Sequence, residues 1–257
     1  MEYKILICLL AGLGAGLGTG FAGMSAAAVI SPLLITFLDM DPYMAVGIAL
    51  ASDVLASAAS AVTYGKNKNL DIRNGIIMML SVLCFTTVGS YIASIVPKTT
   101  MGNFSVFMTL LLGVKFILRP VVAPKKRLAD ATAGQKAVRS VVCGALVGFI
   151  CGFVGAGGGM MMLLVLTAVL GYELKTAVGT SVFIMSATAL TGAVSHFAIG
   201  GMPDMETLLL CMASTLIFAQ LAALFANRAD PRILNRLTGV LLVVLGAAIL
   251  VVNYSGR

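Results

Sequence analysis

Residues 20–27 read GFAGMSAA, and residues 152–159 read GFVGAGGG. The same offset, 132 residues from position 20 to position 152, separates the tripeptide AVG at residues 45–47 from its copy at residues 177–179. Leu-Gly at residues 112–113 returns one residue later, at residues 245–246. An internal repeat with a glycine-rich segment in each copy predicts two related halves around a shared site.

The composition of the chain indicates whether water or lipid surrounds it. Hydrophobic residues make up 60% of the 257 residues and charged residues 11%, and the mean hydropathy is +1.05. A water-soluble domain needs a polar exterior, which this composition does not supply. The apolar runs reach the length of about 20 residues that a helix needs to cross a bilayer. The sequence therefore predicts an all-α polytopic membrane protein of the cell (plasma or inner) membrane.

Eight apolar runs follow one another, at residues 5–38, 43–64, 75–96, 104–118, 138–170, 176–199, 205–226 and 237–252. Six of them suit single transmembrane helices. The runs 5–38 and 138–170 would extend for about 50 Å as continuous helices, against a hydrocarbon core of about 30 Å. Each has glycines in its middle, where helices bend or break. We therefore predict that each forms a broken-helix hairpin, joined near residues 20–25 and near residues 152–159.

The net charge of +7 is concentrated in one central segment. Seven lysines and arginines lie between Lys115 and Arg139, against the single acidic residue Asp130. Nucleic acid or anionic lipid could attract such a cluster, but the positive-inside rule accounts for it in a polytopic chain. We expect no nucleic-acid partner. We predict a basic cytoplasmic linker at residues 123–137, between transmembrane repeats at residues 1–122 and 138–257.

The other charged loops predict how the halves are oriented. If the run 138–170 is a hairpin with both ends inside, the loop with Asp204 and Glu206 lies outside. Applied to both halves, the same count places the following residues in the cytoplasm, as the positive-inside rule requires: Lys66, Lys68, Arg73, Arg228, Arg232 and Arg236. The prediction is two inverted-topology repeats, each a broken-helix hairpin plus three transmembrane helices. Whether the hairpins are re-entrant or cross fully is left open.

The tips of the two hairpins are the candidate binding site. Backbone N–H groups in a glycine-rich break lack intrahelical partners, and the helix that follows points its positive end there, which favours an anion. Hydroxyls on the next helix could donate to the same ligand. The predicted substrate-binding residues are Gly23, Met24, Ser25, Ala26, Ser52, Gly155, Ala156, Gly157, Gly158, Gly159, Thr180 and Ser181. The alternative explanation is that these small residues only permit close helix packing.

Two ionisable residues are candidates for proton coupling. Asp53 lies well inside the run 43–64, where a bare charge is costly, and its repeat equivalent is Met185. His196 is the only histidine, and its repeat equivalent is Tyr64. The alternatives are that Asp53 only fixes helix contacts, and that the rings of His196 and Tyr64 anchor the helix ends at the membrane interface.

Motifs of soluble enzymes and metal sites are missing from the sequence. It has no H-E-x-x-H motif and no phosphate-loop lysine after a glycine run, and no strand pattern precedes the glycines of residues 152–157. The five cysteines include no C-x-x-C pair and are expected to be reduced thiols in apolar helices. We expect no enzymatic activity, no metal and no cofactor. The expected partners are a small anionic substrate and the lipid bilayer, with a homodimer left open.

Three segments of the second half resemble the TauE/SafE (sulfite exporter) family of membrane permeases. They are the glycine-rich hairpin at residues 152–159, AVGTS at residues 177–181, and the short loop from Gly200 to Asp204. The first half departs from the pattern, with MSAA at residues 24–27 in place of the glycines and Ile48-Ala49 in place of Thr-Ser. The resemblance covers nearly the whole chain. It implies a permease for small anions, often sulfur-containing ones such as sulfite or sulfonates. The departures in the first half imply that the two halves of its binding site are unequal.

The leading hypothesis is a secondary transporter for a sulfur oxyanion, an organosulfonate or a carboxylate, in which the halves rock around the hairpin tips by alternating access. The sequence has no nucleotide-binding domain, so an ion gradient, the substrate gradient or the membrane potential would supply the energy. An anion channel that uses the same tips as a filter is the alternative. An intramembrane enzyme or a structural partner subunit is a third class, for which the sequence offers no matched acid–base pair.

Overall fold

The structure, a computed structural model, describes residues 2–93, 133–154 and 158–255, together with residues 114, 117 and 118. Every regular element within these residues is a helix. The first half contains α1 (Glu2–Ala22), α2 (Ala27–Leu38), α3 (Pro42–Lys66) and α4 (Ile72–Ala93). The second half contains α5 (Ala133–Val154), α6 (Gly158–Leu164), a π-helical turn (Val165–Val169), α7 (Leu174–Gly200), α8 (Met205–Arg228) and α9 (Pro231–Ser255).

Two sequence predictions fall partly outside the described residues. The run 104–118 is described at only three positions, and residues 123–132 of the predicted linker are not described. The remaining linker residues, 133–137, form the first turn of α5, so this helix begins five residues before the predicted start at residue 138. Gln135, Lys136 and Ala137 are good helix formers, so the helix extends beyond the apolar run from which its start was predicted.

Within the described residues, four helices are long and apolar enough to cross a membrane: Glu2–Ala22, Met44–Lys66, Leu174–Ala198 and Met205–Arg228. They carry large apolar side chains on their outer faces, such as Leu10 of α1 and Leu221 of α8, which are exposed. Rows of this kind would be unfavourable in water and are suited to contact with lipid. These features agree with the predicted polytopic membrane protein.

The predicted break in the first long run is confirmed. α1 ends at Ala22 and α2 begins at Ala27. Gly23 has a φ of +60°, a left-handed conformation that ends helices and that glycine adopts without strain. Its N–H group donates to the carbonyl oxygen of Thr19 at 2.9 Å, which closes the last turn of α1. α2 has 12 residues and spans about 18 Å, less than a full crossing, whereas α1 is long enough to span the membrane.

The second long run is also described as two helices, because α5 ends at Val154 and α6 begins at Gly158. Residues 155–157, which join them, lie outside the described residues.

Aspartates set the starts of several helices. Asp41 precedes Pro42, and its Oδ1 accepts a hydrogen bond from the N–H group of Met44 at 3.1 Å. Asp230 precedes Pro231 and accepts from the N–H group of Arg232 at 2.7 Å. Proline suits the first helical position, where its missing N–H group has no intrahelical acceptor, and aspartate suits the cap before it.

Parallel helix pairs form the two sides of the fold. α1 packs along α8, and α4 packs along α5. Gly12 of α1 lies against Ser214, and Gly20 lies against Ala222, so α1 and α8 run in the same direction. α4 and α5 are parallel by the same criterion. The glycines of α1 let the two backbones approach closely, which is the packing role that small residues have in membrane helices.

The central pair, α3 and α7, runs antiparallel. Gly47, near the start of α3, lies against His196, near the end of α7. At the opposite end of the pair, Gly179 of α7 lies against Tyr64 of α3. Gly47 and Gly179 are 132 residues apart, as are Tyr64 and His196, so the sequence repeat relates one contact to the other.

Polar contacts join the two halves at both ends of this pair. At one end, Lys4 Nζ forms ion pairs with Asp204 at 2.6 Å and Glu206 at 2.7 Å. At the other end, the Tyr172 hydroxyl donates to Asp71 Oδ2 at 2.7 Å.

Candidate functional site

The structure brings the second hairpin against the first at the point where each is interrupted. Gly159, in the first turn of α6, is buried against residues 23–25. A methyl group added at Gly159 would lie 2.5 Å from the backbone nitrogen of Ser25 and 3.0 Å from the carbonyl oxygen of Gly23. Glycine is therefore required for this contact. We call residues 23–26 the first tip and residues 155–159 the second tip.

Several backbone groups at the first tip have partners within the chain. The N–H group of Met24 donates to the carbonyl oxygen of Gly18 at 3.2 Å. Ser25 caps α2, because its Oγ accepts from the N–H group of Ala27 at 3.3 Å and its carbonyl oxygen accepts from Ala28 at 3.1 Å. The tip is therefore a folded turn with its own hydrogen bonds, rather than the row of bare amides that the glycine pattern suggests. Ser25 is the polar side chain that it presents.

Ser181 of α7 holds the first tip in place. Its hydroxyl donates to the carbonyl oxygen of Gly23 at 2.9 Å, and both residues are buried. The neighbouring Thr180 accepts a hydrogen bond from the N–H group of Asp71 at 3.2 Å, at the start of α4. Both hydroxyls were predicted to contact a ligand, and in this conformation both contact the protein. They position the tip and the α3–α4 loop relative to α7.

Asp53 of α3 lies at the first tip and is fully buried. Its Oδ1 accepts a hydrogen bond from the hydroxyl of Ser57 at 2.7 Å. The Ser25 hydroxyl and the Ala26 N–H group lie beside the same carboxyl group. Its second oxygen, Oδ2, has no hydrogen-bond partner among the described residues. A carboxyl group thus lies at the start of α2, where the helix presents its positive end.

The predicted site residues therefore divide into three groups. The structure brings together the first tip, Gly159, Asp53 and Ser181. Ser52 is buried in α3, and its hydroxyl donates to the carbonyl oxygen of Ile48, in its own helix, at 2.8 Å. Gly158 begins α6, whereas Gly155, Ala156 and Gly157 lie outside the described residues.

His196 lies away from the tips. It is 15 residues beyond Ser181 on α7, which corresponds to about 22 Å along the helix axis, and it packs beside Gly47. If His196 takes part in proton transfer, it does so at the far end of α7 and not at the tips.

Tyr64 has a different role from the one predicted. It is fully buried, and its hydroxyl donates to the carbonyl oxygen of Gly20 at 2.8 Å. The prediction that it anchors the helix end at the membrane interface is wrong, because α1 and α7 cover it. The Tyr64 hydroxyl instead satisfies a carbonyl group in the last turn of α1, just before the first tip.

Ser57 and Thr19 support the site in ways that were not predicted from the sequence. Ser57 lies four residues after Asp53, so the two side chains share one helix face, and that spacing could have predicted their hydrogen bond. The Thr19 hydroxyl donates to the carbonyl oxygen of Met24 at 3.0 Å, across the turn. Nothing in the sequence pattern distinguishes Thr19 from other small polar residues of apolar helices.

The polar contacts at the two ends of the fold shift two ionisation equilibria. Burial, and then the neighbouring Asp71 carboxylate, raise the pKa of the Tyr172 hydroxyl above its usual range. The hydrogen bond from Lys4, followed by that from Thr207, lowers the pKa of Asp204. Both effects favour the protonation states in which these contacts form.

Two interrupted helices that meet between an antiparallel helix pair are the arrangement of many secondary transporters. A family model described as "Sulfite exporter TauE/SafE" matches residues 8–249 of this chain. The chain belongs to this family. The prediction made from residues 152–159, 177–181 and 200–204 is thereby confirmed.

Several relatives of this chain are described as probable membrane transporter proteins. The probable membrane transporter protein YunE of Bacillus subtilis is 28% identical over 220 residues, which cover 78% of this chain and 80% of the relative. A probable membrane transporter protein of Haemophilus influenzae is 28% identical over 208 residues, which cover 76% and 75%. The probable membrane transporter protein MJ0441 of Methanocaldococcus jannaschii is 24% identical over 209 residues, with the same coverage of 76% and 75%. The chain is thus a multi-pass membrane transporter of the TauE/SafE family.

Proposed function

We propose that this chain is a secondary transporter for a small anion, of the sulfur oxyanion, organosulfonate or carboxylate class. The observation that carries the proposal is the contact between Gly159 of the second tip and the backbone of the first tip. Two helix starts converge there, and helix starts favour negative charge. The family description, a sulfite exporter, favours a sulfur oxyanion within this class.

We propose that the two halves are inverted repeats. The support comes from α3 and α7, which are equivalent in the sequence repeat and run antiparallel. The contact of Gly47 with His196 and the contact of Gly179 with Tyr64 exchange under that repeat, as a twofold axis in the membrane plane would require. The repeat relates α1 to α5 and α8 to α4, so the packing of α1 on α8 is equivalent to the packing of α5 on α4. Each half then has one hairpin and three further transmembrane helices.

The orientation proposed from the charged loops has structural support. Lys4 pairs with Asp204 and Glu206, so the start of α1 and the loop before α8 lie at one end. Asn69 Nδ2 donates to Asn227 Oδ1 at 2.7 Å, so the basic loops around them lie together at the other end. We propose that this second end, with the linker at residues 123–137, faces the cytoplasm.

Transport would proceed by alternating access. Every residue of the first tip is buried, as are Asp53 and Ser181, so this conformation corresponds to a closed site. Release to either side requires the contacts at one end to separate while those at the other end persist. We propose an ion gradient as the source of energy, with Asp53 and His196 as the proton-coupling candidates.

The experiment that tests this function has two stages. The purified protein is first screened for thermal stabilisation by sulfite, thiosulfate, methanesulfonate and acetate, because a ligand of the native state raises its stability. The ligand found is then used in proteoliposomes preloaded with unlabelled anion. Accumulation of labelled anion by counterflow, with saturation, is expected for a transporter. Flux without saturation or exchange would instead indicate a channel, and the absence of both binding and flux would contradict the proposal.

A further inference from the structure

The buried carboxyl group of Asp53 occupies the place at the first tip that an anionic ligand would take. We propose that Asp53 is an internal anion that competes with the transported anion for the first tip, so that each substrate anion binds together with one proton on Asp53. The inference rests on the proposed function and adds the coupling rule for the site.

The geometry of the first tip supports competition. The Ser25 hydroxyl and the Ala26 N–H group, at the start of α2, are the donors that this tip offers, and both lie beside Asp53. Ser57 holds Oδ1 from the next turn of α3. An oxyanion at the tip would need the same donors. Two adjacent negative charges in a closed, apolar interior repel each other strongly, so the carboxylate and the substrate exclude each other.

The unpartnered oxygen identifies where the proton goes. Oδ1 already accepts a hydrogen bond, whereas Oδ2 has no partner among the described residues. Binding takes one proton from water onto Oδ2 and one anion into the tip, and no covalent bond of the ligand changes. For a monovalent anion, the net charge of the site is −1 before and after binding. The neutral carboxyl group also becomes a donor that can face the anion.

Other ionisable groups on the helices around Asp53 contact different partners. Lys4 of α1 pairs with Asp204 and Glu206 at one end of the fold. Lys175 of α7 donates to carbonyl oxygens at the end of α8, including that of Ala229 at 2.8 Å. The groups that act on Asp53 are the hydroxyls of Ser57 and Ser25 and the Ala26 N–H group. The remaining ionisable residues on the helices packed against α3 are Glu2, Tyr3, Cys8, His196, Cys211 and Arg228, and Tyr43, Tyr64 and Lys66 lie on α3 itself.

The asymmetry of the repeat limits the number of protons. The equivalent of Asp53 in α7 is Met185, which is buried and apolar. The second half therefore has no counterpart of the internal anion at that position. Because the two tips share one such carboxylate, we expect one proton to bind in each transport cycle.

Binding of methanesulfonate to the purified protein tests this inference, because this probe remains a monoanion from about pH 5 to about pH 8. We expect the dissociation constant of the wild type to rise about tenfold per pH unit where Asp53 is ionised, with uptake of one proton per anion. Calorimetry in buffers of different ionisation enthalpy measures that proton. Asp53→Asn should bind with the same affinity at every pH and take up no proton. Asp39→Asn, an exposed aspartate in the same half, should behave as the wild type.

Three results would overturn the inference. They are wild-type binding without proton uptake, a pH dependence that persists in Asp53→Asn, and loss of binding at every pH in an Asp53→Asn protein that elutes as a folded monodisperse species. The wild-type proton count needs no variant, so it decides the matter even if Asp53→Asn does not fold. Failure of the wild type to bind methanesulfonate, sulfite and thiosulfate at any pH is a different result. It would overturn the proposed anion site, and this inference with it.

Discussion

A few single residues hold the two hairpins together where they meet. Gly159 permits the contact between the tips, Ser181 fastens the carbonyl oxygen of Gly23, and Tyr64 fastens that of Gly20. The hydroxyls are bound to backbone carbonyls on another helix. Loss of one of them would leave a buried carbonyl group without its partner, which typically costs about 1–3 kcal/mol.

Gly159→Ala is expected to displace the first tip. The new methyl group would lie 2.5 Å from the backbone nitrogen of Ser25, so the backbone itself must move. We expect a loss of stability of about 1–3 kcal/mol from overpacking, together with loss of anion binding. Thermal unfolding and the methanesulfonate titration measure the two effects.

The matched control for this change is Gly134→Ala in α5, where a methyl group would have no neighbour within 4 Å. That variant should keep full binding and be as stable as the wild type or slightly more stable, since alanine favours helix over glycine. Normal anion binding by Gly159→Ala would show that the tip contact serves packing alone.

At the scale of the elements, the ends of the helices determine how the halves are held. The N-terminal end of α1 is tied to the start of α8 by the ion pairs of Lys4, and the start of α4 is tied to residue Tyr172 by Asp71. The first set consists of charges near the surface, and the second is a more buried hydrogen bond. Acid that protonates Asp204 should therefore weaken the first set.

Asp204→Asn tests the ion-pair end through its pH dependence. The pKa of Asp204 is lowered by Lys4, so the pair stabilises the fold at pH values above the ordinary value of about 3.9. That contribution is lost as pH falls through the lowered folded value. The variant should be less stable than the wild type by at most about 1 kcal/mol near neutral pH, because both partners are partly exposed.

Thermal unfolding of both proteins at about pH 7 and about pH 3 measures this difference, which should become smaller at the lower pH. Lys4→Met removes this pair together with the pair to Glu206, so it should lose at least as much stability near neutral pH. A wild-type advantage that stays constant down to about pH 3 would mean that Asp204 contributes through something other than its charge.

At the scale of the whole molecule, the antiparallel pair of α3 and α7 relates the two halves. In the proposed inverted repeat, these equivalent helices place the two hairpins on opposite sides of the same centre. The side chains differ between the two ends, because Lys4 forms ion pairs with Asp204 and Glu206 at one end, whereas Asn69 donates to Asn227 at the other. The proposed alternating access is an exchange between opening one end and opening the other.

Single cysteines in a cysteine-free background test that orientation. Met202→Cys, at an 82% exposed position before α8, should react with a membrane-impermeant maleimide added outside intact cells. Asn67→Cys, in the exposed turn after α3, should react only after the cytoplasmic side is opened. Labelling of both cysteines from the same side would contradict the proposed topology. The cysteine-free parent provides the blank.

The sequence predicted a break near residues 20–25, and the structure has it at residues 23–26, because a glycine that ends a helix is a local signal that run length and position reveal. It did not predict that α5 begins at residue 133, because residues 133–137 lie outside the apolar run although they are helical. It placed Tyr64 at an interface because aromatic residues near helix ends commonly lie there, but rotation of α3 turns this ring into the protein. Hydropathy reports that a segment is apolar, and it does not report which neighbour covers it.

The amino-acid sequence by itself determined the class of this protein, its family, its internal repeat and the site of its first break. Those properties depend on composition, on periodicity and on glycine, all of which act locally along the chain. Only the tertiary structure decided that Gly159 meets the first tip, that Ser181 and Tyr64 hold it, and that Asp53 lies beside it. These contacts join segments up to 158 residues apart, and they arise from how helices pack and rotate against one another, which no local pattern encodes.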